Sequence, residues 1–75
     1  MQVDVNELKF IQENAPKGLF AMVAANLEKN GYETTRFIVA KEVGTIKPEY
    51  REEIITEVRR VFELNTGLKF QKEMA

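Results

Sequence analysis

A small all-α domain of four short helices is the architecture this sequence predicts. Three observations carry that expectation. Apolar residues recur at helical spacing in separate stretches, the prolines and glycines fall between those stretches, and 75 residues leave room for one domain only. So short a chain sits near the lower limit for a self-sufficient core, so one layer of packed helices or a dimer is expected. Hydrophobic residues make up 44% and charged residues 31%, the composition of a folded soluble domain rather than a disordered chain.

The first helix is expected over about residues 4–14. Asp4, followed by Glu7 three positions on, has the pattern of a capping box, in which two side chains satisfy N–H groups at a helix start. Val5, Leu8 and Ile11 fall near one face with Phe10 beside them, and Asn14-Ala15-Pro16 stops the element, because proline disfavours a helical residue before it. A second helix is expected over about 18–29, where Phe20, Val23, Ala24 and Leu27 form a stripe at i, i+3, i+4 and i+7. Asn30-Gly31 then offers a left-handed cap.

The next segment supports two readings. Thr34, Thr35, Phe37, Ile38 and Val39 favour β-structure, and a short strand at about 35–43 would make the domain α+β. The only candidate partner for that strand is Leu68-Lys69-Phe70, and a lone two-stranded ribbon is marginal. A helix over about 33–42, ended by Gly44 and with Phe37, Ile38 and Val39 in the core, is therefore expected. The fourth helix, about 48–64, starts at Pro48 with Glu49, Glu52 and Glu53 near its positive end. Tyr50, Ile54, Val58 and Val61 form its stripe, with Ile55 and Phe62 alongside, and Asn65-Thr66-Gly67 supplies the stop. Residues 68–75 are expected to form a flexible tail unless Leu68 and Phe70 dock on the core.

Catalysis is not expected. Cysteine, histidine and serine are all absent, which removes the common nucleophiles and general bases, disulfides and thiolate metal sites. The 12 carboxylates are spread over helix faces, and Glu52, Glu53 and Glu57 read as a solvated face rather than a cation site. The four glycines are single turn residues and form no phosphate-binding loop, so no cofactor is expected. No apolar run approaches the roughly 20 residues of a membrane span, and MQVDVNELKF lacks the features of a signal peptide. A cytoplasmic protein with no membrane partner is the expectation.

Charge is uneven along the chain. Its overall value is −1. Residues 17–47 carry Lys17, Lys29, Arg36, Lys41 and Lys47 against Glu28, Glu33 and Glu42, a net +2, while 1–16 and 48–63 each carry −2. The one sizeable basic stretch therefore contains VAANLEKNGYETTRFIV, residues 23–39, which reads as a helix end, a polar turn and a second helix start.

That stretch resembles the helix-turn-helix of lambda-repressor-like regulators. Val23-Ala24-Ala25-Asn26-Leu27 matches the opening of their pattern, Asn30 stands at the helix cap, and Thr34-Thr35-Arg36-Phe37-Ile38 resembles its close. Ala15-Pro16-Lys17-Gly18 is similar to the Pro-Lys-Gly lead-in of some small phage-type regulators. Two departures stand out: Glu28 and Lys29 replace the turn glycine and the apolar anchor after it. A one-residue insertion, with Gly31 as the turn glycine and Tyr32 as the anchor, would repair the motif. The resemblance implies a transcriptional regulator that lays its third helix in the major groove of double-stranded DNA. On that reading Thr34 and Thr35 meet base edges or a thymine methyl, and Arg36 pairs with guanine or phosphate. Lys17, Lys29, Asn30 and Lys41 would grip phosphates.

A second expectation runs beside it. The fourth helix carries apolar residues on more than one strip, and any that a small domain cannot bury would bind a partner, most simply a second copy in a homodimer. A basic stripe containing Lys17, Lys29 and Arg36 would favour DNA, and a neutral apolar patch would favour protein.

Overall fold

Four helices follow one another along the chain in the computed structural model, which describes residues 1–71. They are α1 (Val5–Asn14), α2 (Leu19–Lys29), α3 (Arg36–Gly44) and α4 (Glu52–Thr66). Among the described residues there is no strand, so the segment that combines β-favouring residues with a helical start is helical. None of these helices is long and apolar enough to cross a membrane.

The core is built around α4. Ile54, Ile55, Val58, Val61 and Phe62 are all buried, as is Tyr50 just before the helix. The residues expected to be surplus on this element are therefore buried, whereas Leu64 on the same helix is 72% exposed. Across from it α2 presents Leu19, Val23, Ala24 and Leu27, and packs against both α4 and α3. Ala24 keeps that inner face low at its centre, which suits close packing of a neighbouring helix. From α1 come Leu8 and Ile11, with the Phe10 ring set edge-on to Phe62 at a centroid distance of 5.7 Å. Only Val39 and Val43 of α3 join this apolar core.

α1 is tied down by charge as well. Asp4 caps the helix by accepting from the Asn6 N–H at 2.8 Å. Glu7 does not complete a capping box. Its carboxylate instead accepts two hydrogen bonds from the Arg59 guanidinium, at 2.7 and 2.8 Å, joining α1 to α4. A bidentate, charge-assisted pair outcompetes a single backbone donor at an exposed helix end.

Two helices begin later than their sequence suggests. α2 closes in a Schellman motif: Tyr32 N–H donates to Leu27 O at 2.8 Å and Gly31 N–H to Glu28 O at 3.0 Å. Gly31 holds φ of 88°, a left-handed value that glycine adopts without penalty. Glu28 and Lys29 are thus helical, the turn glycine is Gly31, and Tyr32 packs against the core as its apolar anchor. Tyr32 being committed inward, Glu33 and Thr34 serve as connection and α3 starts at Arg36 rather than 33. The fourth helix starts at Glu52 rather than 48, because Tyr50 turns inward and its hydroxyl donates to Thr45 O at 2.6 Å and accepts from Lys47 N–H at 3.1 Å. That clasp keeps 45–51 as a loop. At its other end α4 runs to Thr66 and stops at Gly67.

The tail expected over 68–75 is described as far as Gln71; residues 72–75 lie outside the described residues. Phe70 is half-buried, its ring 5.7 Å from that of Phe10.

Candidate nucleic-acid interface

α3 has two unlike sides, and its helical register explains both. Val39 and Val43, four residues apart, face inward and are essentially inaccessible. Phe37 and Lys41, also four apart, share the opposite strip, and both are exposed. Phe37 is 71% exposed and Ile38 40%, so the core placement expected for these two does not hold. A nine-residue helix resting on the core along one line buries only the residues on that line, and Val39 and Val43 occupy it.

The inner side is reinforced by one buried charge. Glu42 is 5% exposed. One of its carboxylate oxygens accepts from the Lys47 ammonium and the other from the Arg51 N–H, both at 2.6 Å. Burial pushes its carboxyl up, but the Arg51 N–H, the Lys47 hydrogen bond and the nearby positive charges outweigh that and hold it below the ordinary value of 4.5. Glu42 thus joins the last turns of α3 to the loop that leads into α4.

The residues expected to meet DNA separate into three groups. Lys17, Arg36 and Lys41 are exposed, the last two on α3. The start of α2 and the first turns of α3 form the walls of one shallow groove, in which Pro16, Gly18 and Phe20 face Arg36, Phe37 and Ala40; Lys17 lies between the first two of these in sequence. The Arg36 guanidinium lies over the Phe37 ring, 4.9 Å from its centroid. A second depression on the other flank brings Ile38 and Lys41 beside Lys47 and Arg51. Lys29 is exposed but sits at the far end of α2, about 16 Å along the axis at 1.5 Å per residue. Among the described residues, Lys17, Lys29, Arg36 and Lys41 pair with no carboxylate, whereas Lys47, Arg59 and Arg60 each do.

The remaining three have structural duties. Asn30 folds its amide back to donate to Asn26 O at 3.0 Å, finishing α2. Thr35 is the N-cap of α3, its hydroxyl accepting from the Ile38 N–H at 3.3 Å, and neither threonine is part of the helix. Thr34 is 9% exposed, and its hydroxyl finds no hydrogen-bond partner among the described residues. Its side chain is turned into the protein and away from any ligand at the surface.

The sequence reading missed Phe37 and Ile38 as surface groups. A signal for them was present: in Phe37-Ile38-Val39 three successive side chains point in three directions, so only one or two can face the core. No family model, curated protein or solved structure matches the chain.

Proposed function

We propose that this chain is a small DNA-binding domain of the transcriptional-regulator kind, presenting the outward strip of α3 to the major groove. The observation that carries the reading is the division of labour on α3. Val39, Val43 and Glu42 fix the helix to the domain, while among the described residues Arg36 and Lys41 pair with no carboxylate and Phe37 is exposed beneath the Arg36 guanidinium. Lys17 adds an exposed cation just before α2, and Lys29 adds one at the other end of α2. Unpaired cations flanking a projecting helix suit a polyanion, whose phosphates set register while the helix meets base edges. The six residues between α2 and α3 make a longer connection than the 3–4-residue turn of the usual motif. The third helix can still project, because Tyr32 and Thr34 anchor that connection to the domain.

The test is a mobility-shift titration against random-sequence duplex at 50 and 200 mM salt. Four phosphate contacts make affinity fall on the order of a hundredfold across that range. Replacing Arg36 and Lys41 with Ala weakens binding and flattens the salt dependence by about one unit of slope per lost contact, with the thermal melt unchanged. Affinity that ignores both salt and these substitutions would sink the reading.

A second reading has an observation of its own. Phe37, Ile38 and Met22 (37% exposed) leave apolar surface on α2 and α3, which a protein partner would cover. Self-association in sedimentation that Phe37→Ala abolishes, with no duplex binding, would select it.

A further inference from the structure

We propose that α3 prefers thymine-bearing base pairs, with Phe37 and Ile38 packing against the C5-methyl groups on the major-groove floor. The inference rests on the DNA reading above and adds the base class that the helix reads. Its starting point is an imbalance in what α3 exposes. The exposed side chains at its leading end are the Thr35 cap, whose hydroxyl accepts from the Ile38 N–H, then Arg36, Phe37, Ile38 and, one turn on, Lys41. None is an amide or a carboxylate.

That inventory limits what can be read. Adenine is recognised by a bidentate Asn or Gln, and of these groups Gln12 donates to Val43 O on α3 and Asn30 to Asn26 O, so both are engaged. The cytosine amine asks for a carboxylate, and the one acid on α3, Glu42, is buried and already accepts from Lys47 and Arg51. Glu33 lies in the connection before the Thr35 cap, not on the helix. Thr34, which by sequence was a candidate for a thymine methyl, is buried. What remains is apolar contact, which matches the thymine methyl, and the Arg36 guanidinium, which matches guanine O6 and N7.

Charge argues for a duplex as the occupant of this apolar strip. Lys41 shares the strip with Phe37, and Arg36 stacks on the Phe37 ring. An apolar protein surface covering Phe37 would strip water from both cations without neutralising them. A groove lined by phosphates neutralises them and offers methyl groups at its floor.

The experiment uses the whole chain and two fluorescent duplexes of alternating adenine and thymine, one normal and one with every thymine replaced by deoxyuridine, which removes only the C5-methyl. Affinities are read by anisotropy at low and moderate salt. One buried methyl corresponds to about fourfold in affinity, so the wild-type chain is expected to prefer the thymine duplex by at least about that factor. Phe37→Ala, with Ile38→Ala as a second variant, should reduce the preference while leaving the salt dependence in place. Salt-sensitive binding with equal affinity for both duplexes would overturn the base preference and leave the DNA reading standing. No salt-sensitive binding to either duplex would overturn both. Loss of self-association in Phe37→Ala, without any duplex binding, would assign the strip to a second copy of the chain.

Discussion

α3 and α4 stand at opposite extremes of how a helix uses its surface. Five residues of α4 are buried, its two arginines are both engaged by carboxylates, and its stop is a glycine in the left-handed region. α3 is held by two valines, one buried acid and the Gln12 amide that donates to Val43 O, and its apolar residues point in several directions. The inward strips of α4 serve the fold, and Leu64 is the large apolar side chain it leaves exposed. On α3 the residues that serve the fold lie on one side, and those on the other side contribute little to holding the domain together. Side chains free of structural duty are the ones available to a ligand, so the weaker helix of the pair is where a binding surface is to be sought.

The contrast can be broken most directly by truncating one residue on each helix. Ile54 of α4 is fully buried, and Ile54→Ala removes its contacts and leaves a cavity, at a cost of about 2–5 kcal/mol. That is a large part of the 5–15 kcal/mol or so that holds a small domain together. Phe37→Ala removes a larger side chain from α3 and should change stability by no more than about 0.5 kcal/mol, because most of its surface already faces water. Urea unfolding of the two variants checks the pair. Comparable losses would mean that the outward strip of α3 is covered in solution.

Glu42 sharpens the comparison from the other side, since it is the polar group that binds α3 to the approach to α4. Its folded-state pKa is depressed, so its contribution to stability is complete above the ordinary carboxylate range and is lost as pH falls through the folded value. Wild-type stability should therefore fall with acid below about pH 4.5, with a component that is missing in Glu42→Gln. At neutral pH that substitution keeps the shape but removes the charge to which Lys47 and the Arg51 N–H donate, costing about 1–3 kcal/mol. Denaturation midpoints measured at several pH values separate the two. Identical acid profiles for wild type and variant would show that Glu42 does not hold α3.

How much of this was legible in the sequence follows the same division. The stripe of Ile54, Val58 and Val61 on α4 could be read because a buried face leaves a periodic record, whereas Tyr50, expected as its first member, is buried from the loop before the helix. Lys17, Arg36 and Lys41 could be placed on the surface because charge seldom goes inside. Gly31 could be read as a left-handed stop for α2 because glycine adopts that conformation without penalty. The apolar run at Phe37-Ile38-Val39 misled, since hydrophobicity alone does not say which of three neighbours faces in. Glu42, an acid amid helical residues, gave no sign of being buried. Its partners Lys47 and Arg51 lie five and nine residues on, across a loop whose path depends on Tyr50.

The finest distinction lies between two adjacent threonines that the sequence treats alike. Thr35 accepts a long hydrogen bond from the Ile38 N–H, so Thr35→Ala removes the cap of α3 and should cost about 1 kcal/mol or less. Thr34 is buried with its hydroxyl unpaired, so Thr34→Val replaces a desolvated polar group with a methyl of similar shape. Such a change is expected to be neutral, or to stabilise the fold by up to about 1 kcal/mol. Because the side chain is turned inward, duplex affinity should be the same for Thr34→Val as for wild type. Thermal melts and the anisotropy assay measure both effects on the same samples. A loss of duplex affinity in Thr34→Val without a loss of stability would return that residue to the proposed binding surface and shift the leading edge of that surface to the residues before Arg36.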